Sequence, residues 1–143
     1  MIKTTITVNR VASVIEDIKK LNDYKVVLGY VNSIKPVPIT KPIVAVSLKK
    51  CNIGKRKTKV DESGEEIEIA SRDVSTVVSV DIYFPYASKQ SLGIMIFDEI
   101  SHCLFNHEWF NVLEASAEEA HYDVATQTIL IRSQFTIVAT ESP

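Results

Sequence analysis

The feature that most constrains the fold is a long stretch, Val74–Tyr86, whose side chains have a period of two. Large or β-branched side chains occupy the even positions: Val74, Thr76, Val78, Val80, Ile82 and Phe84. Successive side chains of a strand point to opposite faces, so a period of two predicts a strand whose even positions face a core. Pro85 lacks the amide hydrogen that a sheet ladder needs, and it predicts the end of this strand.

The next segment, Gln90–Phe105, is predicted to be an apolar helix. Its apolar residues recur at helical spacing and form one stripe: Leu92, Ile96, Ile100 and Cys103, widened by Phe97 and Leu104. Polar residues take the other side: Asp98, Glu99, Ser101 and His102. The strand and the helix together predict a small α/β domain, and neither carries an obvious catalytic group.

Shorter patterns predict the remaining elements. An amphipathic helix is predicted over Val11–Leu21, with Asn9 as its cap. Strands are predicted over Lys25–Val31, Ile43–Leu48 and Thr128–Val138. Pro36, Pro38 and Pro42 predict an extended connection between the first two of these strands. The segment Asn111–Tyr122 fits a helix by its alanine and glutamate content, and it also fits a strand that turns at Asp123–Thr126.

The predicted fold class is therefore α/β (α+β), a small mixed or antiparallel sheet flanked by two helices. The chain has 143 residues, which suits a single domain over 1–143. Its net charge of −2 supplies no overall basic field for nucleic acid, and its four glycines argue against a glycine-rich phosphate-binding loop.

Neither a membrane segment nor a secretion signal is predicted. No apolar stretch reaches the ~20 residues that a membrane-spanning helix needs, and the first residues contain no long apolar run. The two cysteines, Cys51 and Cys103, are interpreted as unrelated reduced thiols rather than as a disulfide or metal pair. These observations predict a protein made and folded in a cytoplasm.

A charged segment over residues 49–70 is predicted to be a projecting hairpin arm. Its first half is basic and its second half acidic, and Asp61–Gly64 forms a suitable four-residue turn between them. That turn would place Lys59 opposite Glu66 and Lys57 opposite Glu68, as cross-strand ion pairs. We expect this arm to contact a partner protein through its charged residues: Lys55, Arg56, Lys57, Lys59, Glu65, Glu66 and Glu68.

Other residues raise the question of chemistry. His102, Cys103, His107 and Glu108 are residue types that bind zinc, but their spacing matches no strong metal pattern. The basic run Lys49–Lys59 contains no aromatic residue for base stacking, and the acidic run beside it cancels much of its field. Trp109 and Phe110 are either an interface anchor or the end of the core. We predict no enzyme, no catalytic residue, no cofactor and no metal site.

The order of elements resembles that of the tail terminator (tail completion) family of tailed bacteriophages and related contractile phage-tail-like particles. The resemblance extends from Arg10 to Val138. It rests on the N-terminal helix, the proline-containing segment, the strand ending in Ile82–Tyr86 and the helix Ser91–Phe105. Its most familiar part is Ala120–Asp123 followed by Thr126–Gln127 and the strand Ile129–Ile137.

The resemblance implies a structural role and no catalytic residues. Such proteins form a six-membered ring on the end of the tail tube, stop its growth and offer a surface to the head connector, or cap a headless particle. It also favours a strand for Asn111–Tyr122. The alternatives are another head–tail joining or minor virion protein of similar fold, a metal protein using His102, Cys103, His107 and Glu108, and a nucleic-acid-binding module using the basic run.

Overall fold

A computed structural model gives the fold as two helices and a mixed sheet of six strands, with a separate two-stranded sheet. It describes residues 4–18, 24–29, 41–54, 58–68, 72–85 and 90–141. In chain order the elements are α1 (Thr4–Ile18), β1 (Lys25–Leu28), β2 (Ile43–Ile53), β3 (Thr58–Val60), β4 (Glu66–Glu68), β5 (Arg72–Pro85), α2 (Gln90–Phe105), β6 (Val112–Ala117), β7 (His121–Asp123) and β8 (Thr128–Glu141). The predicted α+β class is confirmed.

The main sheet has the strand order β1-β2-β5-β8-β6, with β7 also paired to β8. The first pair, β1 with β2, is parallel, and the other pairs are antiparallel. The two longest strands, β5 and β8, pair without a register shift from Arg72 opposite Glu141 to Pro85 opposite Thr128. This ladder forms the centre of the sheet, and it ends at Pro85 as the sequence predicts.

Both helices pack on one face of the sheet and form the core with it. The even positions of β5 from Val74 to Phe84 are all buried, so the predicted alternation is confirmed. Helix α1 contributes Val11, Val14 and Ile15 to this core, and α2 contributes Ile96, Ile100 and Leu104. Further core side chains come from Tyr24, just before β1, and from the strands on either side of β5: Val44, Val46, Ile131, Phe135 and Ile137.

Helix α2 approaches the sheet closely at a glycine. A methyl group added at Gly93 would lie 2.5 Å from Cε1 of Phe84 and 2.6 Å from Cδ1 of Ile131. A larger residue here would force the helix or these two side chains to shift, so glycine allows the close packing between the helix and the two central strands.

The first helix is longer than predicted at its N-terminal end. It begins at Thr4 rather than Val11, so Asn9 lies inside it and is not its cap. Val8 packs against the core at helical spacing from Val11, Ala12 and Ile15, and this contact explains the extra turns. The predicted end at Leu21 lies outside the described residues.

The ambiguous segment Asn111–Tyr122 forms strands, as the resemblance implies. Strand β6 and the short strand β7 both pair with β8, so sheet pairing overrides the local preference of alanine and glutamate for helix. The turn predicted after Tyr122 is also present, and it ends at Gln127, whose φ is 55°.

Several predicted strands differ in their bounds from the observed ones; β5 begins at Arg72 and β8 continues to Glu141. Strand β1 covers Lys25–Leu28 and is followed by a bend at Gly29, while residues 30 and 31, like most of the proline segment, lie outside the described residues. Strand β2 continues past Leu48 to Ile53, and its extension pairs with β5. Residues 49–53 therefore belong to the main sheet rather than to the arm. Among the described helices, none is long and apolar enough to cross a membrane.

Candidate interaction surfaces

The hairpin β3–β4 forms a sheet of its own. Its turn is closed by backbone hydrogen bonds from Asp61 N to Glu65 O at 2.9 Å and from Gly64 N to Asp61 O at 3.1 Å. Gly64 has a φ of 86°, a conformation that glycine adopts without steric cost. The turn thus places three residues, Glu62–Gly64, between paired strands, with glycine last.

The carboxylate of Asp61 organises this turn. It accepts hydrogen bonds from Ser63 N at 3.0 Å, from Ser63 Oγ at 2.7 Å and from Glu65 N at 2.9 Å. Hydrogen bonding, first from the Ser63 side chain and then from the Glu65 amide, lowers the pKa of Asp61. The ionised carboxylate therefore holds the turn together.

The predicted register of the hairpin is wrong by one residue. Lys59 lies opposite Ile67, Val60 lies opposite Glu66, and Thr58 lies opposite Glu68. Lys59 therefore does not lie opposite Glu66, because the turn has three residues instead of four and a shift of one residue exchanges the two faces of a strand. Lys57, of the second predicted pair, lies outside the described residues. Val60 is 65% exposed and Ile67 40% exposed, so the hairpin presents aliphatic side chains to solvent.

The predicted partner-binding residues fall in three groups. Glu65 and Glu66 lie at the turn end of the hairpin and are exposed. Lys59 and Glu68 lie within its two strands. Lys55, Arg56 and Lys57 lie outside the described residues. Projection of the arm and its contact with a partner stay predictions.

A second surface is the face of the main sheet opposite the helices, which we name the helix-free face. It contains a cleft of about 760 Å³. The lining comes from β2, β5, β6 and β8 and is mostly polar: Ser47, Lys49, Ser79, Asp81, Tyr83, Ser116, Glu118, Arg132 and Gln134 are among its residues. The sheet thus has an apolar face covered by helices and a polar face with mixed charges.

Asp81 lies at the centre of the helix-free face, directly opposite Arg132 on β8. Burial raises the pKa of the Asp81 carboxyl, while the positive charges of Arg132 and Lys49 partly oppose this effect and Glu118 adds to it. Lys49 is held in place by a hydrogen bond of 2.7 Å from its Nζ to Oε1 of Gln134. Three charged groups from different parts of the chain therefore act on one carboxyl group.

One end of the helix-free face is apolar. Ile43, Ala45, Tyr83 and Leu130 form a small buried cluster there, with Val27 packed against it. Burial raises the pKa of Tyr83 to about 12, and the negative charges of Asp81 and Asp123 contribute. Tyr83 therefore remains a neutral hydroxyl group at physiological pH.

A third surface is an aromatic corner just after α2. His107, Trp109 and Phe110 form a cluster in which the His107 and Trp109 rings are 4.6 Å apart and meet edge to face. The Arg10 guanidinium lies 5.3 Å from the centre of the Trp109 ring, within the range of a cation–π contact. Phe110 packs against the core while Trp109 remains half exposed. Phe110 therefore lies at the end of the core, whereas Trp109 faces outward and is the residue available as an interface anchor.

The residues of the metal hypothesis do not converge. The amide nitrogen of Asn106 lies 3.5 Å from Nδ1 of His102, and Nδ1 of His107 accepts a hydrogen bond from the Trp109 amide at 3.2 Å. Cys103 packs against the core, and burial raises the pKa of its thiol. Over the described ranges, no three histidine, cysteine or acidic side chains are grouped to hold a metal ion. Neither cysteine forms a disulfide.

Sequence reasoning did not single out Asp81 and Arg132. The available signal was a charged residue within each of two long alternating strands, on the side that does not face the core. What brings them together is the register of β5 with β8, which no local pattern specifies. No model of a known protein family matches this chain, and no curated protein sequence matches it.

Proposed function

We propose that this protein is a structural component of a phage tail or phage-tail-like particle. In this proposal it forms a six-membered ring on the end of the tail tube, terminates tube growth, and joins the tube to the head connector or caps it. It acts by protein–protein contact and not as an enzyme. Its order of elements, which resembles that of tail terminators, is the starting point of the proposal.

The observation that carries the proposal is the one-sided placement of the helices. Because α1 and α2 both cover the same face, the described residues leave the helix-free face, both sheet edges and the hairpin for contacts with other chains. A subunit of a closed ring needs two different surfaces for its two neighbours, and it needs a further one for the tube. This fold offers enough distinct surfaces for all three contacts.

The proposed partners follow from this position. Copies of the chain contact one another in the ring, the tail tube protein lies below it, and sheath or head-connector proteins lie above. The protein is made in the cytoplasm of a bacterial host and becomes part of the particle. The charged hairpin, through residues such as Glu65 and Glu66, is the proposed contact to a neighbouring protein.

Native mass measurement and negative-stain imaging of the purified protein, alone and with tail tubes, test the proposal. We expect rings of six subunits, or added density that caps the ends of tubes. A protein that stays monomeric and leaves tube ends uncapped would contradict it. Density at a head–tail joint away from the tube end would instead support a joining protein of similar fold.

A further inference from the structure

On its outer edge, β6 has backbone hydrogen-bonding groups that no described strand pairs with. Glu118 N donates to Arg132 O at 2.8 Å, so the residues that alternate with Glu118 along β6, Ser116 and Glu114, bond to β8. The N–H and C=O groups of Ala115 and Ala117 therefore point away from β8. Within the described ranges, no strand pairs with this side of β6. The irregularity of β6 lies between Val112 and Glu114, so the regular stretch Glu114–Ala117, which contains neither proline nor lysine, is the part open to pairing with another chain.

The outer edge of β1 pairs with no other strand among those that the structure describes. Lys25 N donates to Pro42 O and Gly29 N donates to Val46 O, both at 2.9 Å. The odd-numbered residues of this strand therefore direct their backbone groups toward β2. The N–H and C=O groups of Val26 and Leu28 therefore point outward. Among the strands that the structure describes, β1 pairs only with β2.

The directions of these two strands suit a ring. Strand β1 is parallel to β2, and the three following pairs across the sheet are antiparallel, so β6 runs opposite to β1. Rotation about an axis parallel to the strands keeps every strand direction. Such a rotation brings β1 of one copy beside β6 of the next copy as an antiparallel pair. This contact uses two different edges, and repeated contacts of this kind close a ring.

The side chains on the two edges are complementary in charge. Lys25 pairs in register with Ile43 and so lies on the helix-free side, where it is exposed. Glu114 and Glu118 lie on the same side of β6 and are also exposed. Each edge also carries an exposed leucine, since Leu28 on β1 is 58% exposed and Leu113 on β6 is 63% exposed. Each edge therefore offers one sign of charge and one exposed leucine to its counterpart.

We infer that copies of this chain join edge to edge, with β1 of one copy adding to β6 of the next, so that the sheet continues around the ring. The inference rests on the proposed ring and names the surfaces that build it. In this arrangement Lys25 of each copy lies near Glu114 and Glu118 of its neighbour.

The first test removes one outward donor. Ala117→Pro deletes the amide hydrogen that points away from β8, and proline is tolerated at such an edge position. Ala117→Val is the matched control because it changes the side chain and keeps the donor. We expect the wild type and the valine variant to form rings, and the proline variant to remain a folded monomer with an unchanged circular dichroism spectrum.

The second test reverses charge and leaves the backbone intact. Two variants each place like charges together at the contact. One is the single variant Lys25→Glu, and the other is the double variant Glu114→Lys with Glu118→Lys. We expect each to weaken ring assembly at least tenfold. The triple variant restores opposite charges at every junction, and we expect it to recover assembly. This test remains decisive if the proline variant does not fold.

The outcomes separate the two proposals. Rings formed by the proline variant, together with no recovery in the triple variant, would overturn the edge contact while leaving the ring intact. A wild-type protein that forms no ring, alone or on tubes, would overturn both. Loss of ring assembly in the Lys25→Glu variant and in the double glutamate variant, with recovery in the triple variant, would support the edge contact.

Discussion

Asp81 shows how one half-buried carboxyl group can link protonation to stability. Its pKa is raised by burial in the helix-free face, despite the neighbouring charges of Arg132 on β8 and Lys49 on β2. Glu118, beyond the end of β6, adds a further negative charge. Because the folded state binds this proton more tightly than the unfolded chain does, folding is favoured most when the carboxyl is protonated.

We therefore expect Asp81→Asn to become more stable relative to the wild type as the pH rises. Below the ordinary pKa of 3.8 the contribution of Asp81 is fully present, and it is lost as the pH rises through the raised folded pKa. Denaturant unfolding of both proteins over this window measures the difference. Arg132→Met removes the main cation that lowers the pKa of Asp81. The pKa of Asp81 should therefore be higher in this variant, and the contribution of Asp81 to stability should be lost over a range that extends to higher pH. A difference that does not change with pH would contradict the raised pKa.

Gly93 tests the close approach of α2 to the sheet. Gly93→Ala places a methyl group against the Phe84 ring and the Ile131 side chain, both in the core. Overpacking of this kind costs ~1–3 kcal/mol, against which alanine gains ~1 kcal/mol over glycine within a helix. We expect a net decrease in the free energy of unfolding, measured by denaturant titration. Asp98→Ala, at an exposed position of the same helix, should change it by no more than ~0.5 kcal/mol. A more stable Gly93→Ala variant would show that the helix can move outward without cost.

At the scale of elements, the hairpin depends on its turn. Two short strands in a separate sheet are only marginally stable, so the Asp61 hydrogen bonds matter locally. We expect Asp61→Ala to speed amide hydrogen exchange at Ser63 and Glu65 while exchange in β5 remains unchanged. Asp61→Asn is the matched control, because its side-chain oxygen can still accept these hydrogen bonds. Equal exchange rates in the alanine variant and the wild type would contradict this role.

The same turn is predicted to respond to acid in the opposite sense to Asp81. The pKa of Asp61 is lowered, so its contribution to the turn is present above the ordinary value of 3.8 and is lost as the pH falls through the folded value. Exchange at Ser63 and Glu65 in the wild type should therefore approach that of the asparagine variant in acid, because the protonated carboxyl, like the amide, keeps one neutral acceptor oxygen.

At the scale of the whole molecule, the hairpin and the main sheet are predicted to be separable. Ile53 at the end of β2 lies opposite Val74 on β5, so a short glycine–serine linker can replace residues 56–70. We expect the shortened protein to keep its core and its melting temperature to within a few degrees, because the removed hairpin forms its own sheet.

Assembly provides the second measurement on this shortened protein. If the hairpin contacts a neighbouring protein, ring formation or tube capping should weaken while the monomer stays folded. Unchanged assembly would show that the hairpin is not the partner contact, and the helix-free face, the sheet edges and the aromatic corner would be the surfaces to test next. The fluorescence of Trp109, the single tryptophan, reports separately whether that corner becomes buried on assembly.

Local patterns in the sequence determined the main elements of this protein. The period of two in Val74–Phe84 and the helical stripe of α2 predicted both elements and their buried faces, because burial of one face imposes a period that is visible in the chain. The signs for helix or strand conflicted at Asn111–Tyr122, where pairing with β8 decided the outcome.

Only the tertiary structure decided which residues meet. The one-residue difference in the hairpin turn separated Lys59 from Glu66, and the β5–β8 register brought Asp81 to Arg132. Strand order likewise left β1 and β6 at the two ends of the row of described strands. Periodicity specifies the face on which a residue lies, whereas register and strand order arise from the competition of all strands for partners across the whole chain.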